Sequence, residues 1–175
     1  GKQKMESSII HMMRFDSDTL EEEYDLILTF DYENLNTPIE DTAQALKDRL
    51  LAAGLGPDHG KTFHIVAHSM GGLVSRWFIE KLEGNQVVNH LYQLGTPNQG
   101  SPYGSLYEMA TPLLANAVNG AAFVQPYVIP LRVVGKFLDK LFFTLKQMNS
   151  DSDFLKALND GSDPGIPYTI IAGNT

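Results

Sequence analysis

The stretch that decides the fold is Thr62-Phe63-His64-Ile65-Val66-Ala67-His68-Ser69-Met70-Gly71-Gly72, continuing into Leu73-Val74-Ser75-Arg76. Its first half is an apolar run of the kind that forms a buried strand. Its second half is a small-x-Ser-x-Gly turn that leads into a good helix. A serine at such a corner sits on a sharp strand-to-helix reversal, with its hydroxyl projecting above the sheet. The backbone there is strained, so the positions two before and two after the serine must be small. Ala67 and Gly71 meet that demand, although the first of them is more often glycine. Gly72 lets the helix pack closely against the strand. The helix starts at Ser69, so its positive end and free N–H groups face whatever lies above the serine. The plain alternative is a Gly- and Ser-rich turn with no chemistry, and the order of the later elements argues against it.

Working outward, Met5–Arg14 suits a short helix with Ile9, Met12 and Met13 on one face. Tyr24–Tyr32 contains Leu26-Ile27-Leu28-Thr29-Phe30, which reads as a buried strand. Thr37-Pro38-Ile39-Glu40 reads as a helix start, with Thr37 as N-cap and Glu40 closing a capping box. From there Ile39, Ala43, Leu46 and Leu50 recur at helical spacing, and Gly54 ends the run. The serine-bearing strand covers Lys61–His68, and its helix runs from Met70 to about Glu83, with Gly84 as the stop. A strand at Val87–Leu94 leads into the loop Gly95–Ser101, and a last strand at Pro167–Ala172 ends at Gly173. Strands alternating with helices imply βαβ units and a parallel sheet with helices on both faces. Ligands of such sheets bind at the carboxyl ends of the strands, where Ser69, the Gly95–Ser101 loop and the Gly173–Thr175 end all fall.

Residues 102–150 differ in character. Two helices, Ser105–Val118 and Leu131–Met148, flank a stretch with Pro126 and Pro130. The second carries an apolar stripe of Leu131, Val134, Phe137, Leu138, Leu141, Phe142 and Leu145, with lysines opposite. The insertion reads either as a pair of core helices or as a helical cap whose apolar face meets an acyl-type substrate.

Composition narrows the function classes. The 175 residues are 43% hydrophobic and 19% charged, enough for one globular domain with a sizeable core. A net charge of −8 and the lack of a basic run argue against a nucleic-acid surface. There is no cysteine, so disulfides and thiolate metal sites are excluded. The five histidines are scattered without metal-ligand spacing, and no Gly-rich phosphate loop occurs, so no cofactor is expected. The polar start Gly1–Glu6 is unlike a signal peptide, and no apolar run is long enough to cross a bilayer. The reading is of a soluble chain, with the cytoplasm slightly favoured.

Taken together, Val66–Arg76 resembles the nucleophile elbow of α/β-hydrolase lipases and esterases, particularly the branch near GPI-inositol-deacylase-like serine esterases. Leu94-Gly95-Thr96-Pro97-Asn98-Gln99-Gly100-Ser101 is similar to that branch's loop after the next strand. Asp153–Asn159 followed by Ile166-Pro167-Tyr168 looks like its segment before the late strand. The resemblance covers most of the chain from Tyr24 onward. It implies an α/β fold, a parallel-sheet α/β-hydrolase core with the 102–150 insertion as a helical lid. It implies Ser69 as nucleophile, the Met70 backbone N–H as one oxyanion donor, and a hydrophobic ester or lipid as substrate. His68 is a packing and turn residue in such enzymes, and His64 reads as a core histidine of the strand. His11, His59 and His90 have no motif behind them.

The sequence departs from the pattern in one respect. Such hydrolases present their triad in the order serine, acid, histidine, yet no histidine follows His90. The second oxyanion donor commonly comes from a His-Gly loop after an earlier strand, and no His-Gly precedes Tyr24. Asp151, Asp153, Asp160 and Asp163 lie before the last strand and read as helix caps or loop residues. The expectation is an incomplete core, whose base and acid come from outside these residues. Its unpaired sheet edges would associate with the rest of a longer chain or with another polypeptide. The functional expectation is a serine esterase or lipase. The competing one is a non-catalytic α/β-hydrolase-like interaction module, and a ligand-binding protein without turnover ranks below both.

Overall fold

The structure, a computed structural model, describes residues 14–15, 18–19, 24–32, 37–101 and 143–172. The chain divides into two compact units, Gly1–Tyr32 and Glu33–Thr175. In the first, β1 (Arg14–Phe15) pairs antiparallel with β2 (Asp18–Thr19). Arg14, the last residue of the helix expected at Met5–Arg14, is therefore in a strand, and the rest of that helix lies outside the described residues. The strand expected at Tyr24–Tyr32 is absent. Leu26 and Leu28 are 68% and 49% exposed, and no strand among the described residues pairs with this segment. β-favouring side chains bias a backbone toward extended geometry. A strand exists only where a neighbour supplies the opposing N–H and C=O groups.

The second unit carries the core. Helix α1 (Ile39–Ala52) buries Ile39, Ala43, Leu46 and Leu50, the face its periodicity predicts. Strand β3 (His64–His68) enters α2 (Met70–Lys81), and β4 (His90–Leu94) and β5 (Tyr168–Ile171) complete a parallel sheet in the order β3-β4-β5. The register pairs His64 with His90 and Leu91 with Tyr168. All three strands therefore end at one edge, which holds Ser69 and the 95–101 loop. Ala67, Leu91 and Gln93 are buried, whereas Val66 and His68 on the other face are exposed. Among the described residues the helices thus cover one face of the sheet, not the two expected.

Helix α2 ends with Glu83 in the left-handed region at φ 62°, and Gly84 opens a short 3-10 turn, Gly84–Gln86. Gly84 is needed for a different reason from a helix stop. A Cβ there would lie 2.8 Å from the Phe78 carbonyl oxygen. Leu73, Phe78, Ile79, Leu91, Leu155 and Leu158 fill the core, and Trp77 stacks on Phe154 with ring centroids 5.1 Å apart.

Two short helices return the chain to the sheet. Helix α3 (Phe143–Gln147) falls within the helix expected at Leu131–Met148, and residues 102–142 lie outside the described residues. Helix α4 (Asp153–Asn159) starts at Ser152, whose Oγ accepts the Leu155 N–H at 3.1 Å. Asp153, Asp160, Asp151 and Asp163 occupy the first turn, the C-cap and the flanking turns, in keeping with cap and loop roles.

The start of α1 corrects a local reading. Its N-cap is Pro38 with no side-chain cap bond of its own. The acceptor comes from across the fold: Gln147 Oε1 takes the Ile39 N–H at 2.8 Å, and Gln147 Nε2 donates to Glu40. Thr144 Oγ1 donates to the Thr37 carbonyl at 3.0 Å. Gln147→Ala strips a buried N–H of its acceptor and should cost about 1–2 kcal/mol. Urea unfolding of the variant against the unaltered protein measures this.

Candidate active site

Ser69 stands between β3 and α2 at φ 52° and ψ −128°, a conformation that residues with a side chain rarely adopt. Such strain costs about 1–3 kcal/mol and persists only where neighbours over-determine it. Here both backbone groups are fixed. The Ser69 N–H donates to the Leu94 carbonyl at 2.9 Å, and its carbonyl accepts the Gly72 N–H at 3.0 Å. The hydroxyl does not cap the helix, and no side chain among the described residues binds it. Met70 is the first helical residue, so its N–H has no acceptor within the helix. One hydroxyl and one N–H without an acceptor inside the helix therefore sit together at the positive end of α2.

The close approach of α2 to β4 is made at Gly72. A Cβ on Gly72 would lie 2.6 Å from Thr96 Cγ2 and nearer still to Thr96 Oγ1. Thr96 belongs to the loop that continues β4, which turns at Gly95 (φ 59°) with the Gly95 N–H donating to the Ile171 carbonyl at 2.8 Å. The loop closes at Gly100 (φ 100°), where a Cβ would meet Ser150 N at 2.6 Å. The Ser101 N–H then reaches the Met148 carbonyl at 2.9 Å, so the chain on either side of residues 102–147 is joined at this edge.

A polar network holds that loop. Arg76, 13% exposed, donates through Nε to Glu80 Oε1 at 2.8 Å and through Nη1 to Asn98 Oδ1 and Asn159 Oδ1 at 3.1 and 2.9 Å. Asn98 Nδ2 donates to Gln93 Oε1 at 2.8 Å, and Asn159 Nδ2 to the Asn98 carbonyl at 2.9 Å. The Tyr168 hydroxyl donates to Glu80 Oε1 at 3.1 Å. Burial, and then the Glu80 carboxylate beside it, push the Tyr168 phenol far above its ordinary range, so it stays a donor. Gln93 Nε2 and Thr96 Oγ1 are buried without a partner among the described residues. Sequence reading missed this network. Its one legible signal is the i, i+4 spacing of Arg76 and Glu80.

The histidines go elsewhere. His64 and His90 begin β3 and β4, and His64 lies four residue steps of strand from His68, about 13 Å. His64 is half-buried on the open face of the sheet, not in the core, against the rings of His90 and Tyr92 at 5.9 and 6.0 Å. His90 stacks on Tyr92 at 4.1 Å and meets Thr169 Oγ1 at 2.9 Å. His59 bridges the Val87 carbonyl at 3.0 Å and the Lys61 N–H at 3.1 Å. His68, next to the serine, is exposed, and His11 lies outside the described residues. No group of His, Cys, Asp or Glu among the described residues is arranged to hold a metal. No helix among them is long and apolar enough to cross a membrane.

Residues 12–174 match the family described as Domain of unknown function (DUF7379). The chain belongs to DUF7379. No curated protein matches it. Among solved structures, this DUF7379 chain is similar to phospholipase PlaB from Legionella pneumophila, at 17% identity and a TM-score of 0.56. The match covers 87% of the DUF7379 chain and 33% of PlaB, so the chain spans about a third of that protein's length. At that identity the likeness shows fold alone: the DUF7379 chain has a mixed α/β core with a small parallel sheet and helices, compatible with an incomplete α/β-hydrolase-like core.

Two outcomes follow from this geometry. Gly72→Ala forces a methyl group into Thr96 and should destabilise the second unit by about 1–3 kcal/mol in a denaturant melt. For His64, desolvation and the neighbouring His90 lower the pKa, so the unfolded chain binds a proton near the ordinary value of 6.5 before the folded one does. Stability should therefore fall as pH drops through that value, and His64→Gln should flatten the slope of melting temperature against pH.

Proposed function

We propose that Ser69 is the nucleophile of a serine esterase or lipase that acts on an ester of an apolar acyl group. The observation that carries this reading is the strained Ser69 backbone at φ 52° at the carboxyl edge of a parallel sheet, with no side chain among the described residues bound to its hydroxyl. In this reading Ser69 Oγ attacks the ester carbonyl and its proton passes to an imidazole. The Met70 N–H and a second donor hold the oxyanion. The carbon–oxygen bond then breaks, the alcohol leaves with the proton, and water hydrolyses the acyl-enzyme. The imidazole and its carboxylate come from outside these 175 residues, because no histidine follows His90. His64 and His90 also begin their strands at the opposite edge. The likeness to a phospholipase supports a lipid ester. The stretches Leu94–Ser101 and Asp153–Asn159 support an esterase of the GPI-inositol-deacylase-like kind.

Among the described residues no histidine side chain binds the Ser69 hydroxyl, the adjacent His68 being exposed, and this favours one second reading, a non-catalytic module for interaction. A fluorophosphonate probe separates the two. The 175-residue chain alone should label at background, since loss of the base costs on the order of 10⁶ in rate. A longer form that carries the base should label, and Ser69→Ala should abolish the signal. A folded longer form that never labels would favour the module.

A further inference from the structure

Gly72, Arg76 and Glu80 fall at every fourth position of α2 and so form one stripe along the helix. The structure shows what the stripe meets. Gly72 lies on Thr96, Arg76 binds Asn98, and Glu80 binds Tyr168 at the start of β5. The helix that begins at Ser69 is therefore tied along its length to the loop after β4 and to the next strand.

Resting on the reading of Ser69 as nucleophile, we propose that Arg76 is a positioning residue for it. Through Asn98 and Asn159, Arg76 locks the 95–101 loop to the serine-bearing helix and so holds the strained turn. The argument is geometric. A planar guanidinium offers donors in fixed directions and can engage Glu80, Asn98 and Asn159 at once. A lysine ammonium is a single point of charge that cannot span the three. Asn98 is the hinge of the arrangement: its oxygen accepts from Arg76, its amide donates to Gln93, and its carbonyl accepts from Asn159. Because Ser69 N–H hangs on the Leu94 carbonyl, just before this loop, any slide of α2 against β4 alters the serine's own backbone.

Removal of Arg76 would leave the Glu80 carboxylate, 5% exposed in its side chain, without its cationic partner, so deletion of the arginine itself is a poor test. Asn98→Ala is the informative variant, with Asn98→Asp as the conservative one, which keeps an acceptor toward Arg76, and Arg76→Lys as a second probe of the fork. The readouts are amide hydrogen exchange at Ser69, Gly95, Gly100 and Ser101, with the α1 amides as internal reference, and fluorophosphonate labelling of a form that reacts.

In Asn98→Ala, exchange at those four amides should rise about tenfold or more, the equivalent of one lost charge-assisted hydrogen bond, while α1 is unchanged. The maximal labelling rate should fall by a similar factor with the half-saturating probe concentration unaltered, and Asn98→Asp should recover part of both. Unchanged exchange at Ser69, a rise shared equally by α1, or an unaltered labelling rate would each overturn the proposal. If the unaltered protein never labels, the nucleophile reading fails, and the exchange pattern alone decides whether Arg76 holds the turn.

Discussion

Gly72 and Thr96 meet with no side chain between them, and the carboxyl edge of the sheet is arranged around that contact. A single methyl group at Gly72 would fall inside the van der Waals surface of Thr96. Without it, the first turn of α2 lies on the end of β4, which brings the Ser69 N–H within 2.9 Å of the Leu94 carbonyl. That hydrogen bond and the turn it closes hold Ser69 at positive φ. The strained serine is a consequence of close packing, not of any preference of serine itself.

Polar side chains do the long-range joining in the rest of the unit. Gln147 reaches the start of α1, although 107 and 108 positions separate it from its two partners there. Arg76 reaches Asn159, 83 positions away. The Gln147 links are buried or half-buried, where a satisfied hydrogen bond is strong and an orphaned one costly, whereas the Arg76–Asn159 link is exposed. They fix the orientation of elements whose apolar contacts alone would tolerate some sliding. Among the described residues, the two buried side-chain atoms without a partner, Gln93 Nε2 and Thr96 Oγ1, both lie at the same edge as Ser69. Departures from full satisfaction tend to gather at functional sites.

The sequence was readable where the physics is local. The 3.6-residue spacing of Ile39, Ala43, Leu46 and Leu50 located α1 and its buried face. The apolar run before Ser69 and the small residues around it located β3, α2 and the turn. Strands at His90–Leu94 and Tyr168–Ile171 fall within the stretches expected for them. Failures came where the deciding partner was remote. Leu26–Phe30 has strand composition, yet no neighbour among the described residues pairs with it. The local capping box at Thr37 and Glu40 gave way to Gln147, which no sequence window around residue 40 contains. His64 read as a core residue because a buried strand was assumed to be covered on both faces.

For the candidate site the same division holds. The sequence by itself determined the serine at a strand-to-helix corner, its small neighbours, and the absence of any histidine after His90, since these depend only on residue type and order. The shared carboxyl edge was read from the order of the strands, and their parallel register bears it out; only the tertiary structure decided that Thr96 presses on Gly72. It alone placed Arg76, Asn98, Gln93 and Asn159 in one network and sent His64 and His90 to the opposite end of the sheet. Those facts are distances between residues far apart in the chain. They are set by how helices and strands pack, and no local pattern encodes them.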